Sequence, residues 1–262
     1  MIFYFSATGN TLWAAKQLAV FLNDTLVNMA NADTNIEYEL KDNERIGFCF
    51  PVHGWRPPLL VRHFIKRLRI RNYNKNYCWA LCTAGDDIGL TMEYLSKDLS
   101  SLGICLDSIF SLIMPESYVG LPFMDVDKPQ KELEKKEKAK NMLAEQIKSI
   151  EKRERGIVDT YKGRWPRTNS YLLGTLFIKC LITDKPFRVE EEKCTKCGIC
   201  ASVCPVNDIK GGKGMMPEWK HNNTCLTCFN CYHHCPTHAI EYGKRTKNKG
   251  QYYFKKNRID NN

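Results

Sequence analysis

Eight of the 13 cysteines in this 262-residue chain fall into two runs with the same spacing. In each run, three cysteines are separated by two residues, and a fourth follows after three more residues and precedes a proline. Thiolates spaced in this way hold iron–sulfur clusters, with three from one run on one cluster and the fourth reaching the other. We therefore predict two 4Fe–4S clusters, one held by Cys194, Cys197, Cys200 and Cys235, and the other by Cys225, Cys228, Cys231 and Cys204.

A structural zinc site is the alternative, because cysteine pairs separated by two residues also suit tetrahedral zinc. Zinc needs only two such pairs, and it explains neither the repeat nor the prolines at positions 205 and 236. The repeat resembles the two-cluster bacterial ferredoxin, and it favours an electron-carrying module.

A second candidate site follows the first apolar segment, residues 1–5, which is typical of a strand buried on both faces of a parallel sheet. Residues 11–22 have helical periodicity, so a hydroxyl-rich turn leads directly into a helix N-terminus, where backbone N–H groups favour a phosphate. The same residue types also cap helices, which is the alternative. The turn contains no Lys or Arg and matches neither a Walker loop nor a dinucleotide fingerprint. The candidate residues are Ser6, Ala7, Thr8, Gly9, Asn10 and Thr11.

Two more loops follow predicted core strands at residues 45–50 and 77–82. Doubly wound sheets bind ligands at the carboxyl ends of their strands. Trp55 could offer a flat face to a planar cofactor, or pack against the neighbouring prolines. Asp86 and Asp87 could influence such a cofactor, or cap the following helix. The candidate residues in these loops are Pro51, Val52, His53, Gly54, Trp55, Thr83, Ala84, Gly85, Asp86, Asp87 and Gly89.

Four loop sequences, FSATGNT, PVHGWRPP, TAGDDIG and MPESYV, together resemble the flavodoxin half of flavodoxin–ferredoxin fusion proteins of anaerobic bacteria and archaea. The resemblance implies FMN bound through its phosphate at the first loop, and it adds Tyr118 to the cofactor-binding candidates. Two positions depart from the pattern. His53 stands where an aromatic residue is expected, and Arg56 stands where a small residue is expected; an arginine near the flavin would stabilise its reduced, anionic form.

The predicted fold is α/β: a flavodoxin-like, doubly wound, five-stranded parallel sheet of order 2-1-3-4-5, followed by a small α+β ferredoxin-like domain. We expect the FMN-binding domain at residues 1–155, a linker with a short packing helix at 156–185, the two-cluster domain at 186–243 and a basic tail at 244–262. The apolar segment 171–182 within the linker is too short to span a bilayer. It could pack between the domains, or contact a membrane or a partner.

Composition favours a cytoplasmic protein. The hydrophobic content is 43%, no stretch is long enough to span a membrane, and the first residues lack the features of a signal peptide. Five further cysteines, an odd number, argue against a disulfide framework and for a reducing compartment. The net charge of +10 is partly offset by the negative charge of the clusters. The basic, aromatic tail could contact nucleic acid, an acidic redox partner or the anionic cluster domain itself, and an acidic protein surface ranks first.

Together these features predict an electron-transfer protein that passes electrons between one-electron carriers and FMN, as an oxidoreductase or a reductase component. A redox protein partner, a small-molecule substrate at the flavin and a homodimer are all compatible with the sequence, and no catalytic residue is assigned. Two alternatives stay open: an electron shuttle without a substrate of its own, and a regulatory or nucleic-acid-binding iron–sulfur protein that uses the tail.

Overall fold

The computed structural model describes residues 1–33 and 36–256, and its first half is built on a parallel sheet. The strands of the first half are β1 (Ile2–Tyr4), β2 (Leu26–Asn28), β3 (Tyr38–Glu39), β4 (Ile46–Pro51), β5 (Ile70–Arg71), β6 (Cys78–Ala84), β7 (Ser108–Ile113) and β8 (Val158–Asp159). The order in the main sheet is β2-β1-β4-β6-β7-β8, and β3 and β5 pair separately.

The first five strands of that sheet have the predicted order 2-1-3-4-5, so the flavodoxin-like topology is confirmed. The sheet has six strands rather than five, because β8 pairs in parallel with Ile109 and Phe110 of β7. This edge strand has only two residues, both exposed, and so it carries none of the apolar signal by which buried strands are recognised. Strand β6, in contrast, is buried along its whole length.

Helices cover both faces of the sheet. Helices α1 (Asn10–Leu22) and α4 (Pro129–Glu151) pack on one face, and α2 (Leu59–Arg67) and α3 (Thr91–Ser100) pack on the other. Buried residues recur along α4 at helical spacing, at Ala139, Leu143, Ile147 and Ile150, while Lys and Glu occupy its outer face. This arrangement leaves the carboxyl edge of the sheet open to the loops that follow β1, β4, β6 and β7.

A connecting helix (166–181) joins the two halves and begins five residues before the predicted apolar segment. Pro166–Thr168 and Gly174–Leu176 are α-helical, whereas Asn169–Leu173 and Phe177–Leu181 form π-helical turns. The helix packs against the loops at the carboxyl edge of the sheet. In one of these contacts, the main-chain N–H of Leu90 donates to the Ser170 hydroxyl at 2.8 Å. Among the described residues, no helix is both long and apolar enough to cross a membrane.

The second half is small and built from two similar units. Its strands are β9 (Phe187–Val189), β10 (Ile209–Lys210), β11 (Glu218–Trp219) and β12 (Ile240–Tyr242), which pair antiparallel as β9 with β12 and β10 with β11. One-turn helices, Ile199–Ser202 and Asn230–His233, carry the third cysteine of each run. The core of this second half is largely aromatic; its aromatic residues are Phe187, Trp219, Phe229, Tyr232 and Tyr242.

Candidate functional site

A cavity of about 590 Å³ opens at the carboxyl edge of the sheet, where the predicted cofactor loops converge. Every predicted cofactor-binding residue lines it except Gly9 and Gly89. Gly9 faces the backbone and Cβ of Phe254, and Gly89 faces Ser170 and Trp55. The loops that the sequence separates by tens of residues therefore form one site.

The first loop presents an anion-binding surface to this cavity. The residue preceding α1 is Gly9, in the left-handed conformation with φ of 99°, and the first turn of α1 contains no acidic residue. The positive end of the helix dipole is thus available to a ligand. The hydroxyls of Thr11 and Thr83 lie 2.7 Å apart, and that of Thr8 donates to the Ser117 hydroxyl at 3.3 Å. Hydroxyl groups from three strand ends are therefore grouped at the helix N-terminus.

The Asn10 side chain links the first loop to two distant parts of the chain. Its amide nitrogen donates to the carbonyl of Pro115 at 3.0 Å, and its amide oxygen accepts from the Tyr252 hydroxyl at 2.5 Å. The second of these hydrogen bonds ties the loop to the C-terminal residues. The backbone of Asn10 remains at the start of α1.

A C-terminal strap (249–256) links the phosphate loop to the cysteine-rich half. The main-chain N–H of Phe254 donates to the carbonyl of Thr8 at 2.8 Å, and its ring stacks on Trp13 at 5.3 Å. At the other end, the Gln251 amide donates to the carbonyls of Tyr232 and Cys235 at 2.6 and 2.7 Å.

Cations of the predicted tail make intramolecular contacts as well. Arg245 donates to the Gly120 carbonyl at 3.2 Å, and Lys249 donates to the Val119 carbonyl at 3.0 Å. Residues 257–262 of the tail lie outside the described part of the chain. The part that is described packs against the body of the protein.

Removing the Tyr252 hydroxyl tests the strap. We expect Tyr252→Phe to lower the free energy of unfolding by about 1–3 kcal/mol, because the buried amide oxygen of Asn10 loses this donor. Urea unfolding at equal cofactor content measures the change. Tyr253→Phe is the matched control, since the Tyr253 ring stacks on His234 and its hydroxyl has no hydrogen bond within the described residues. Equal losses in the two variants would contradict the role given to the Tyr252 hydroxyl.

The loops after β4 and β6 form the neighbouring wall. Trp55 and Asp87 both line the cavity. Burial raises the pKa of Asp87, and burial lowers the pKa of His53 to about 4, so His53 is neutral at physiological pH. Arg56 does not line the cavity: its guanidinium donates twice to the Ser170 carbonyl, at 2.7 and 3.2 Å, and lies over the ring of Tyr94. The expectation of a cation beside the cofactor is not met by this residue.

Glu116 is a lining residue that was not among the sequence candidates. One of its carboxylate oxygens accepts from the main-chain N–H groups of Ser117 and Tyr118 at 2.8 and 2.7 Å, and burial raises the pKa of the group. The other oxygen would clash with a Cβ at position 85, so a side chain there would require the Glu116 carboxyl to move. Its signal in the sequence was an acidic residue directly after Pro115, within the MPESYV loop.

The cysteines form two groups, each with members from both runs. Cys194, Cys197, Cys200 and Cys235 line one small cavity. In the other group, the pKa of Cys231 is raised by burial and then by its neighbours Cys228, Cys225 and Cys204. Across the described residues, no set of three or more His, Cys, Asp or Glu side chains converges tightly enough for a single metal ion. The four cysteines of the first group surround a shared space.

Hydrogen bonds to sulfur support the same interpretation. Main-chain N–H groups donate to the sulfurs of Cys204 at 3.2 Å, Cys225 at 3.4 Å and Cys235 at 3.2 Å. Such bonds stabilise the negative charge that cluster thiolates carry, and they are one of the factors that set cluster potentials.

The two candidate sites meet at one residue. Cys228, from the second run, lines the same large cavity as the phosphate loop, together with Thr227. Cys197, from the first run, is exposed and lines the small cavity but not the large one. Through Cys228, the second group of thiols therefore borders the large cavity within a single chain.

Comparison with known protein families gives a match to the second half of the chain. Residues 187–236, which contain all eight cysteines of the two runs, match the 4Fe-4S dicluster domain family. The chain therefore joins a flavodoxin-like α/β domain to a 4Fe–4S domain. No curated protein matches the chain.

Several solved structures match the first half. A flavoprotein from Bacteroides uniformis is 19% identical, with 43% of this chain and 88% of that chain covered and a TM-score of 0.34. A Streptococcus pneumoniae flavodoxin is 17% identical, covering 55% and 97%, with a TM-score of 0.34. An FMN-dependent NADH-azoreductase from Bacillus anthracis is 9% identical, covering 57% and 97%, with a TM-score of 0.37.

Proposed function

We propose that this chain is an electron-transfer protein that passes electrons between one-electron carriers and an FMN bound in the large cavity. Two 4Fe–4S clusters would be held by the two groups of cysteines. A cluster carries one electron at a time, whereas a flavin accepts one or two, so the pair connects one-electron and two-electron chemistry. The observation that carries the proposal is the position of Cys228 in the wall of the cavity that the phosphate loop also lines.

The residues of the cavity fit FMN. The phosphate would bind at the N-terminus of α1 and receive hydrogen bonds from Thr8, Thr11 and main-chain N–H groups. The flavin ring would lie between the loops that carry Trp55 and Gly85, where the absence of a side chain on Gly85 leaves room for the Glu116 carboxyl. With its raised pKa, Glu116 can hold a proton at an oxygen beside that loop.

The cysteine groups fit two clusters with different surroundings. Cys228, Cys231, Cys225 and Cys204 would hold the inner cluster beside the cavity. The outer cluster would be held by the group that contains Cys197, the exposed thiol, and exposure suits the exchange of electrons with a redox protein. Electrons would pass from the outer cluster to FMN within one chain. This route does not require a homodimer, and the homodimer stays a prediction.

Cofactor analysis tests the proposal. Anaerobic purification after cluster reconstitution, followed by iron, sulfide and flavin counts, should give FMN and two 4Fe–4S clusters in each chain. Reduced ferredoxin, added anaerobically as the external one-electron donor, should then bleach the flavin absorbance. Protein that retains iron but binds no FMN would contradict the proposed function.

Cys197→Ala separates the two cofactor sites. We expect this variant to lose the outer cluster and to keep FMN at the wild-type level, because Cys197 does not contact the large cavity. Iron content, paramagnetic resonance and flavin absorbance measure the two effects, with Thr195→Ala as the control from the same small cavity. Full iron content in Cys197→Ala would show that the ligand assignment is wrong.

A further inference from the structure

The outer part of the large cavity has a lining of its own. Beyond the phosphate loop, its wall is formed by apolar side chains of residues 121–124 and of the connecting helix. Phe123 is 82% exposed, Leu176 is 56% exposed and Leu173 is 42% exposed, although all three border the cavity. Large apolar side chains grouped at the mouth of a cavity mark a surface that is covered by a ligand.

The charged residues that line the cavity limit which ligands can bind there. Among the described residues that line the cavity, none is Lys or Arg, although the chain has a net charge of +10. The charged residues that do line it are Asp86, Asp87 and Glu116, all of them acidic. An anionic molecule would meet like charge there, and Lys135, which donates to the Gly85 carbonyl at 2.7 Å, is already paired with the Asp127 carboxylate at 2.6 Å. The FMN phosphate avoids this problem because it would bind at the dipole of α1.

The apolar wall is held in place by specific contacts. Arg56 binds the connecting helix through the carbonyl of Ser170 and through the Thr175 hydroxyl, at 2.5 Å for the latter. A Cβ at Gly174 would lie 2.5 Å from the Gly54 carbonyl, so the helix approaches the loop after β4 as closely as two backbones allow. The wall is therefore preformed, which lowers the entropic cost of binding a ligand against it.

From these contacts we infer that the outer part of the cavity binds a flat, uncharged aromatic molecule, of the chemical class that includes quinones, as the redox partner of the flavin site. The inference rests on the proposed function, because FMN must fill the inner part of the cavity. It names the substrate class that the lining selects: aromatic surface packs on Leu173, Leu176 and Phe123, and anionic compounds are excluded.

Binding of two redox-inert probes to the oxidised, FMN-loaded protein tests the inference. Naphthol and naphthalenesulfonate share one ring system and differ in charge. By calorimetry or equilibrium dialysis, naphthol should bind at least about tenfold more tightly, which corresponds to about 1.4 kcal/mol. Equal affinities, or tighter binding of naphthalenesulfonate, would overturn the inference.

Variants on one helix locate the site. Leu176→Asp should weaken naphthol binding roughly tenfold to a hundredfold, because an apolar contact is replaced by a charge. Leu172→Asp is the matched control: Leu172 is on the same helix and 66% exposed, but it does not line the cavity. Phe123→Asp, in the segment between β7 and α4, should reproduce the loss even if Leu176→Asp fails to fold. Similar affinities in all three variants would overturn the inference.

The FMN content of each protein distinguishes a failure of the proposed function from a failure of the inference about the substrate. Each protein is desalted, and its FMN is measured by absorbance before the probes are added. A wild-type protein without FMN contradicts the proposed function. A protein that retains FMN but shows no preference for naphthol contradicts only the inference about the substrate.

Discussion

Cys228→Ala is expected to stop an external one-electron donor from reducing the flavin, while FMN remains bound. The variant would remove a proposed ligand of the inner cluster, and Cys228 is the cysteine that borders the cavity. The phosphate loop and the Trp55 loop are untouched. Anaerobic mixing with reduced ferredoxin, followed at flavin wavelengths, measures the reduction rate, and flavin absorbance after desalting measures occupancy.

Cys180→Ala is the matched control, since its exposed thiol lies on the connecting helix and does not line the cavity. It should leave the reduction rate at the wild-type value. If Cys228→Ala lost its inner cluster yet its flavin were reduced as fast as in the wild type, the clusters would not feed the flavin. The chain would then hold two independent carriers. Full-length variants suit this test better than the isolated residues 1–155, because that fragment lacks the strap that binds the phosphate loop.

The double variant Thr8→Ala, Thr11→Ala should lose FMN affinity to a much greater extent than riboflavin affinity. Each hydroxyl would donate to a charged phosphate, and a hydrogen bond to a charged group contributes about 1.5–3 kcal/mol. Two such losses correspond to roughly a hundredfold weaker binding of FMN, or more. Fluorescence titration of cofactor-free protein with each flavin measures the difference.

Riboflavin is the matched ligand in this experiment, because it has the same ring without the phosphate. Loss of the Thr11–Thr83 contact could also disturb the loop itself, and such a disturbance would weaken both flavins. Equal weakening would therefore show that these hydroxyls serve the structure of the loop and do not contact the phosphate.

The sequence by itself determined the features that depend on local periodicity and spacing. The two cysteine runs predicted the 4Fe–4S domain, and the continuous apolar runs predicted core strands such as β4 and β6. Because the carboxyl ends of parallel strands lie along one edge, the loops after β1, β4 and β6 could be assigned to one site before any contact was known. The two-residue strand β8 was missed, since both of its residues are exposed.

Only the tertiary structure decided the contacts between residues far apart in the chain. Tyr252 and Asn10 are separated by 242 positions, and no local pattern indicates that their side chains meet. Arg56 is adjacent to Trp55 in sequence, yet its guanidinium binds the connecting helix because the Ser170 carbonyl is within reach. Cys228 carries the spacing of a cluster ligand, but its place in the cavity wall follows from how the two halves pack. Spacing along the chain specified which groups could do chemistry, and long-range packing specified which of them lie together.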